Sequence, residues 1–393
     1  MLSATTKDGN IITLVTLSKQ AIDELREKEK FYCPICQHKV IIKAGTMMIP
    51  HFAHYKTSQC DLKKRGEGEY HYKGKLLLYD WLVAQQIDVS LEAYIPCIQQ
   101  RPDLLLRWRG RLIAIEYQCA TIDRKIVYER NQGYKRANII PIWILGANQL
   151  TRLTSHHIRI NSFTLSFLHQ FSPTYPTMLF YLCPYKKQLL FLHDLFIVTA
   201  TKAFAQHTYL PLSSCSFLHF FQRTYIKKAT VLRLWRQEKR HFRLQPSGRF
   251  RKERIRENWL YNQQIYRDQL PAHIFLPIRS QYKMNVPLWN WQSRFILGFF
   301  QYKPFGSMFT VNEAEHFLRK YIVHKIDKQL IRVNARPVLE YIRLLEASGI
   351  VESVADEQYK KIASSTKNAY IEQALNADDE LLRYFMYNQM QMK

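Results

Sequence analysis

The stretch RPDLLLRWRGRLIAIEYQCAT, residues 101–121, decides how this chain is read. Two apolar runs flank Gly110, the one strong turn residue between them, so the simplest connection is a tight hairpin centred on Arg109 and Gly110. That register pairs residues whose numbers sum to about 219 and sets Asp103 opposite Glu116, with Cβ atoms roughly 5 Å apart. An odd-numbered loop would slip the pairing. The two-residue period of a strand puts Gln118 on the face of Glu116. Two carboxylates so placed repel unless one is protonated or a cation lies between them. A divalent metal is the economical explanation, and hard oxygen ligands suit Mg²⁺ or Mn²⁺. The alternative keeps both acids in ordinary ion pairs, Asp103 with Arg101 and Glu116 with Arg107.

Around the hairpin the order is helix, strand, hairpin, helix, strand. The segment EGEYHYKGKLLLYDWLVAQQ reads as a helix with Glu67, His71 and Lys75 on one stripe at i, i+4 and i+8. The strand VSLEAYIP precedes the hairpin, and a helix across RKIVYERNQGYKRAN and the strand IIPIWILG follow it. Residues 66–150 therefore read as an α/β core. Residues 1–65 read as a small β-rich module, and residues 151–393 as a basic, aromatic-rich C-terminal region with a further soft boundary near 260.

In the first module Cys33 and Cys36 of CPIC are followed by His51 and His54 of PHFAH. Two thiolates and two imidazoles at these spacings can close on one tetrahedral Zn²⁺, a structural ion because no position is left for substrate. Cys60 is a possible substitute ligand, and the alternative is a pair of reduced thiols beside a packed turn.

Lys and Arg total 57 against 32 acids, a formal charge of +25, which calls for a polyanionic partner. Nucleic acid leads, and no apolar run reaches the length of a membrane span. Seven cysteines, an odd number with four of them scattered, and the absence of a signal-peptide pattern in MLSATTKDGN point to the cytoplasm. Between Arg223 and Arg256 thirteen cations are interleaved with Tyr225, Trp235, Phe242 and Phe250, the mixture a single-strand groove uses. Arg233, Arg236, Arg240 and Arg243, at helical spacing, are the candidate nucleic-acid-binding face. RPVLEYIRLLEASGIVES reads as an amphipathic helix stopped at Gly349, a core helix ahead of the alternative of a winged-helix-like unit.

Pro102-Asp103, twelve residues, then Glu116-Tyr117-Gln118 resembles the PD-(D/E)xK nuclease core. Together with CPIC, PHFAH, ERNQGY and PIWIL, the pattern is similar to the CoiA competence family, bacterial proteins tied to natural transformation and homologous recombination. The resemblance implies an α/β restriction-endonuclease-like core, an N-terminal zinc-ribbon-like module and a mainly helical basic C-terminal region. It also implies a metal-dependent DNA phosphodiesterase in which Asp103 and Glu116 hold Mg²⁺ or Mn²⁺. Glu67 would be a third or outer ligand, His71 and Lys75 would face the phosphate, and Arg130 and Tyr134 would bind the DNA backbone and brace the site. The departure is Gln118, where the family's usual residue is Lys; Lys75 or Lys73 could compensate. A catalytically silent, DNA-binding mediator that assists the strand-exchange recombinase on single-stranded or branched DNA is the alternative function.

Overall fold

The structure is a computed structural model that describes residues 1–14, 17–34, 36–45, 50–55, 68–245, 258–323 and 328–387. Strands β1 (Ser3–Thr5) and β2 (Ile11–Thr13), helix α1 (Lys19–Lys28), and strands β3 (Phe31–Tyr32), β4 (Lys39–Lys43) and β5 (His51–His54) form an N-terminal unit. Its sheet has the order β2-β1-β3-β4-β5 and encloses a small core of Leu14, Ile22, Phe31, Val40 and Phe52. Ser18 caps α1 by accepting from the Ala21 amide.

The central unit begins with α2 (Glu69–Val83), followed by β6 (Asp88–Leu91), β7 (Leu104–Trp108), β8 (Arg111–Gln118), α3 (Arg124–Arg136) and β9 (Ile140–Gly146). The hairpin register is the expected one: Leu104 pairs with Ile115 and Trp108 with Arg111. Arg109 and Gly110 both have positive φ, 48° and 75°, the type I′ geometry that matches the twist of a two-residue hairpin. After this antiparallel start β8 and β9 run parallel, with α3 as the crossover.

The sheet does not stop at residue 150, where the sequence suggested a boundary. β10 (Thr151–Arg152), β11 (His157–Arg159), β12 (Met178–Cys183), β13 (Gln188–Thr199) and β14 (Lys202–Pro211) extend it to nine strands, in the order β10-β11-β14-β13-β12-β9-β8-β7-β6. This corrects the expectation of a mainly helical region from 151. The run LLFLHDLFIV is nearly all apolar because β13 is covered on both faces, so it lacks the alternation by which a strand is recognised. Leu78, Trp81, Leu106, Ile115 and Phe180 fill the core on the α2 face, while Trp143, Phe167 and Tyr181 belong to the core on the other.

The C-terminal unit contains α4 (Lys228–Leu244), α5 (Leu288–Ser293), β15 (Met308–Thr310), α6 (Val311–Leu318), α7 (Pro337–Ala347), β16 (Val351–Ala355), β17 (Gln358–Lys361) and α8 (Ile371–Tyr387). From α5 to β17 the order is helix, strand, helix, helix, strand, strand, and the sheet order is β15-β17-β16. That is a winged-helix arrangement. Its α7 is nonetheless a core helix, burying Val338, Tyr341, Ile342 and Leu345, and its Glu340 accepts from the amides of Arg279 (2.6 Å) and Ser280 (3.0 Å).

Candidate functional site

The candidate site lies where β7 begins and β8 ends. One step beyond the Leu104–Ile115 pair, where the ladder ends, Asp103 comes opposite Glu116; α2 side chains hold Asp103 and α3 side chains hold Glu116. Asp103 sits at a bend, and its Oδ2 accepts from the Tyr117 amide at 2.9 Å. From α2, one turn apart, His71 places Nε2 3.3 Å from Asp103 Oδ2 and Lys75 places Nζ 3.0 Å from Oδ1. The His71 ring stacks on Tyr117 at 5.6 Å between centroids, which fixes its orientation. Gly74 permits this approach of helix and strand, because a Cβ there would lie 2.0 Å from the Tyr117 ring.

A third acid, Glu92, completes the arrangement and was missed by the sequence reading. The strand expected across VSLEAYIP ends at Leu91, and Glu92 turns left-handed at φ 50°. Its amide donates to Asp103 O at 3.0 Å, its carboxylate receives Lys75 Nζ at 2.7 Å and the Leu2 amide at 2.9 Å, and Arg101 Nη1 forms an ion pair with it at 3.4 Å. The available signal was an acid inside an apolar stretch, the same one that marks Asp103. Arg101 thus pairs with Glu92, whereas the alternative had it on Asp103.

Glu116 is held from the other side. Arg130 Nε donates to Glu116 Oε1 at 2.9 Å, a second nitrogen of the guanidinium and the Tyr134 hydroxyl also reach that oxygen, and Arg130 Nη2 donates to Arg101 O at 2.9 Å. Tyr134 is fully buried, so it braces Glu116 and does not offer itself to DNA, a correction to the expected role. Arg130, and not Arg107, is the partner of Glu116. Gln118 commits its side-chain amide to Ala120 O at 2.6 Å. Glu67 lies outside the described residues.

The electrostatics separate the two acids. Burial raises the Asp103 pKa, but the charges of Lys75 and His71 and the hydrogen bonds from His71 and the Tyr117 amide outweigh it and hold the carboxyl well below its ordinary range. Burial dominates at Glu116 and raises its pKa, with the charge of Asp103 adding to the rise and Arg130 opposing it. Lys75, with no exposed surface, is the cation between Asp103 and Glu92. Three acids, Asp103, Glu92 and Glu116, thus meet four basic side chains, His71, Lys75, Arg101 and Arg130.

In the N-terminal unit the ligand atoms of Cys33, Cys36 and His54 lie within 4.8 Å of one another, with Cys36 Sγ 3.3 Å from His54 Nε2. Gln37, left-handed at φ 56°, closes the knuckle by donating its amide to Cys33 O at 2.9 Å. Two soft thiolates and an imidazole fit a zinc-type ion. The expected fourth ligand, His51, is not in this group. Residues 51–54 form a strand, where a spacing of three puts side chains on opposite faces; His51 pairs in register with Lys43, and its ring lies 6.1 Å from that of Tyr72. Cys60 lies outside the described residues.

The expected basic face of α4 divides. Arg233 and Arg240 are exposed. Arg236 is also exposed but ion-paired to Asp379, with Nε 2.6 Å from Oδ1. Arg243 is buried: Nε lies 3.0 Å and Nη2 2.9 Å from Asp378, and Nη1 donates to Leu270 O at 2.7 Å. It fastens α4 to α8, so it cannot belong to a nucleic-acid face. The part of the basic run in residues 246–257 lies outside the described residues.

The fold and site define a mixed α/β protein in which a small β-rich unit with a metal-type Cys/Cys/His cluster precedes a central sheet carrying converging acids and cations. Family models match almost the whole chain: "Competence protein CoiA, N-terminal domain" over residues 14–63, "Competence protein CoiA, nuclease-like domain" over 67–225 and "Competence protein CoiA, C-terminal domain" over 221–375. The chain is 31% identical over 268 residues to the competence protein CoiA of Bacillus subtilis (strain 168), covering 68% of this chain and 71% of that protein. It belongs to the competence protein CoiA family. No solved structure matches it. Among the described residues no helix is long and apolar enough to cross a membrane.

Proposed function

We propose that this protein is a cytoplasmic, divalent-metal-dependent DNA phosphodiesterase that acts on single-stranded or branched DNA intermediates in natural transformation and recombination. The observation that carries this reading is the convergence of Asp103, Glu116, His71 and Lys75 at one end of the hairpin in a nuclease-like domain. Two carboxylates suit Mg²⁺ or Mn²⁺, which keep several waters and take few protein ligands. Held by Asp103 and Glu116, such an ion would supply a Lewis acid and a bound water of lowered pKa. The chain's own residues position the rest. Lys75, anchored on Glu92 at 2.7 Å, keeps an ammonium beside Asp103 and takes the role that Gln118 cannot fill. His71, clamped on Tyr117, faces the phosphate. The Cys33/Cys36/His54 cluster holds a structural Zn²⁺ that orders the N-terminal unit.

One observation favours a second reading. Each acid is already neutralised by side chains of this protein, Asp103 by Lys75 and His71, Glu116 by Arg130. The pair therefore needs no metal for stability, and a silent nuclease fold that binds DNA and assists the strand-exchange recombinase satisfies the same geometry. Incubating the protein with labelled single-stranded, duplex, flapped and branched DNA and Mn²⁺, beside Glu116→Ala, separates the two. Cleavage lost in the variant supports the phosphodiesterase. Binding without cleavage in the native protein overturns it in favour of the mediator.

A further inference from the structure

A second feature lies on the same hairpin as the acids, at its opposite end. Residues Arg107 and Arg111 flank the β7–β8 turn, Lys135 lies in the last turn of α3 and Asn138 just beyond it, and Gln329 and Arg332 arrive from the C-terminal unit; together they line a cleft of about 870 Å³. Its charged lining residues are Arg107, Arg111, Lys135 and Arg332, all cations. The cleft is built in advance, because the strap bearing Arg332 is stitched to the central unit: Gln170 N donates to Leu330 O at 3.1 Å and Arg332 N to Gln170 O at 2.9 Å. Packing around the Arg332 head group, and then the neighbouring charge of Arg111, push its pKa below the ordinary arginine value. Like charges held together in this way are relieved by an anion. Both polar atoms of the Gln329 amide are shielded from water and have no hydrogen-bond partner among the described residues. Lys135, in the last turn of α3, offsets the negative end of that helix.

Arg107, in β7, stands four residues along the chain from Asp103, which lies at the bend just before that strand. At about 3.3 Å per residue the separation is roughly 13 Å, the axial rise of about four nucleotides.

We infer that this cleft binds the phosphodiester backbone of a DNA strand and holds it in line with the Asp103–Glu116 end of the hairpin. The identity of the polymer rests on the proposed function, but the binding does not depend on cleavage.

The test is fluorescence anisotropy of a 5′-labelled oligothymidylate across a NaCl series with full-length protein. Arg111→Ala/Arg332→Ala is compared with Arg159→Ala/Arg383→Ala, which removes the same charge from exposed positions elsewhere. Losing two phosphate contacts should weaken binding about tenfold at 0.1 M salt and make the log–log salt slope shallower by about 1.4, against little change in the control. Equal losses in the two double variants would overturn the inference. Should the cleft variant melt early, the exposed Lys135→Gln substitutes for it, with a slope change of about 0.7. A parallel titration with inorganic tripolyphosphate distinguishes the source of the phosphate: if the cleft variant loses tripolyphosphate binding but keeps its affinity for the strand, a small polyphosphate is the occupant and the inference fails. Asp103→Asn, measured alongside, loses cleavage alone if the phosphodiesterase reading holds, so failure of that reading leaves the anisotropy result standing.

Discussion

Lys75→Met tests the electrostatic account of the site most directly. The ammonium lies 2.7 Å from Glu92 and 3.0 Å from Asp103 with no exposed surface. At an effective dielectric of about 20, each contact has a gross attraction of roughly 6 kcal/mol, largely offset by the dehydration of both ions. Methionine keeps the volume and removes the charge. Glu92 then retains Arg101 at 3.4 Å and the Leu2 amide, and Asp103 retains His71 and the Tyr117 amide, so neither is stranded completely. The expected cost is about 3–5 kcal/mol, the range for removing one partner of a buried ion pair. The pH dependence carries the sign. In the native protein Asp103 has a folded pKa below its unfolded value of about 4, so its stabilisation is present above that pH and is lost as pH falls. Without Lys75, burial and mutual repulsion disfavour the ionised carboxylates, and the penalty grows as pH rises. Urea denaturation of both proteins should therefore show a gap that is widest near pH 7.5 and narrows toward pH 4.5. A pH-independent gap, or one under about 1 kcal/mol, would refute the reasoning.

The other predictions concern packing, metal and the C-terminal tie. Gly74→Ala drives a methyl into the buried Tyr117 ring and should cost about 1–3 kcal/mol, whereas Gly133→Ala meets the movable end of Gln100 and should cost less; thermal melts of the two variants rank them. Elemental analysis should find about one zinc per chain, and Cys36→Ser should lose the ion and lower the melting of the N-terminal unit; unchanged melting of metal-free protein counts against a structural ion. Asp378→Asn leaves Lys239 and Arg243 buried without their carboxylate and should destabilise by about 3–5 kcal/mol, while Asp379→Asn, at the exposed Arg236 pair, should change stability by less than about 1 kcal/mol in the same denaturation assay.

What could be read from the sequence was local. Gly110 and the two flanking runs were enough for the hairpin and its register, and with it the opposition of Asp103 and Glu116, because a two-residue loop leaves no freedom in pairing. The partners of those acids were harder to foresee. Glu92 enters through a left-handed turn that the strand-like VSLEAYIP conceals. His51 and His54 have the spacing of a ligand pair but stand on a strand, where that spacing divides them. Arg243 has the same helical spacing as Arg233 and Arg240; Asp378 of α8 and the Leu270 carbonyl, both distant in the chain, turn it inward. Strands β12 and β13 were illegible because burial on both faces erases their period.

The unbroken course of the nine-stranded sheet bears on how this protein can be divided. A fragment ending near residue 150 would tear β12 from β9, stripping the partners from Ile144, Leu145 and Gly146 and baring an apolar edge to neighbouring molecules. Such a fragment should be recovered as insoluble aggregate, whereas one carried past Pro211 preserves every ladder of that sheet.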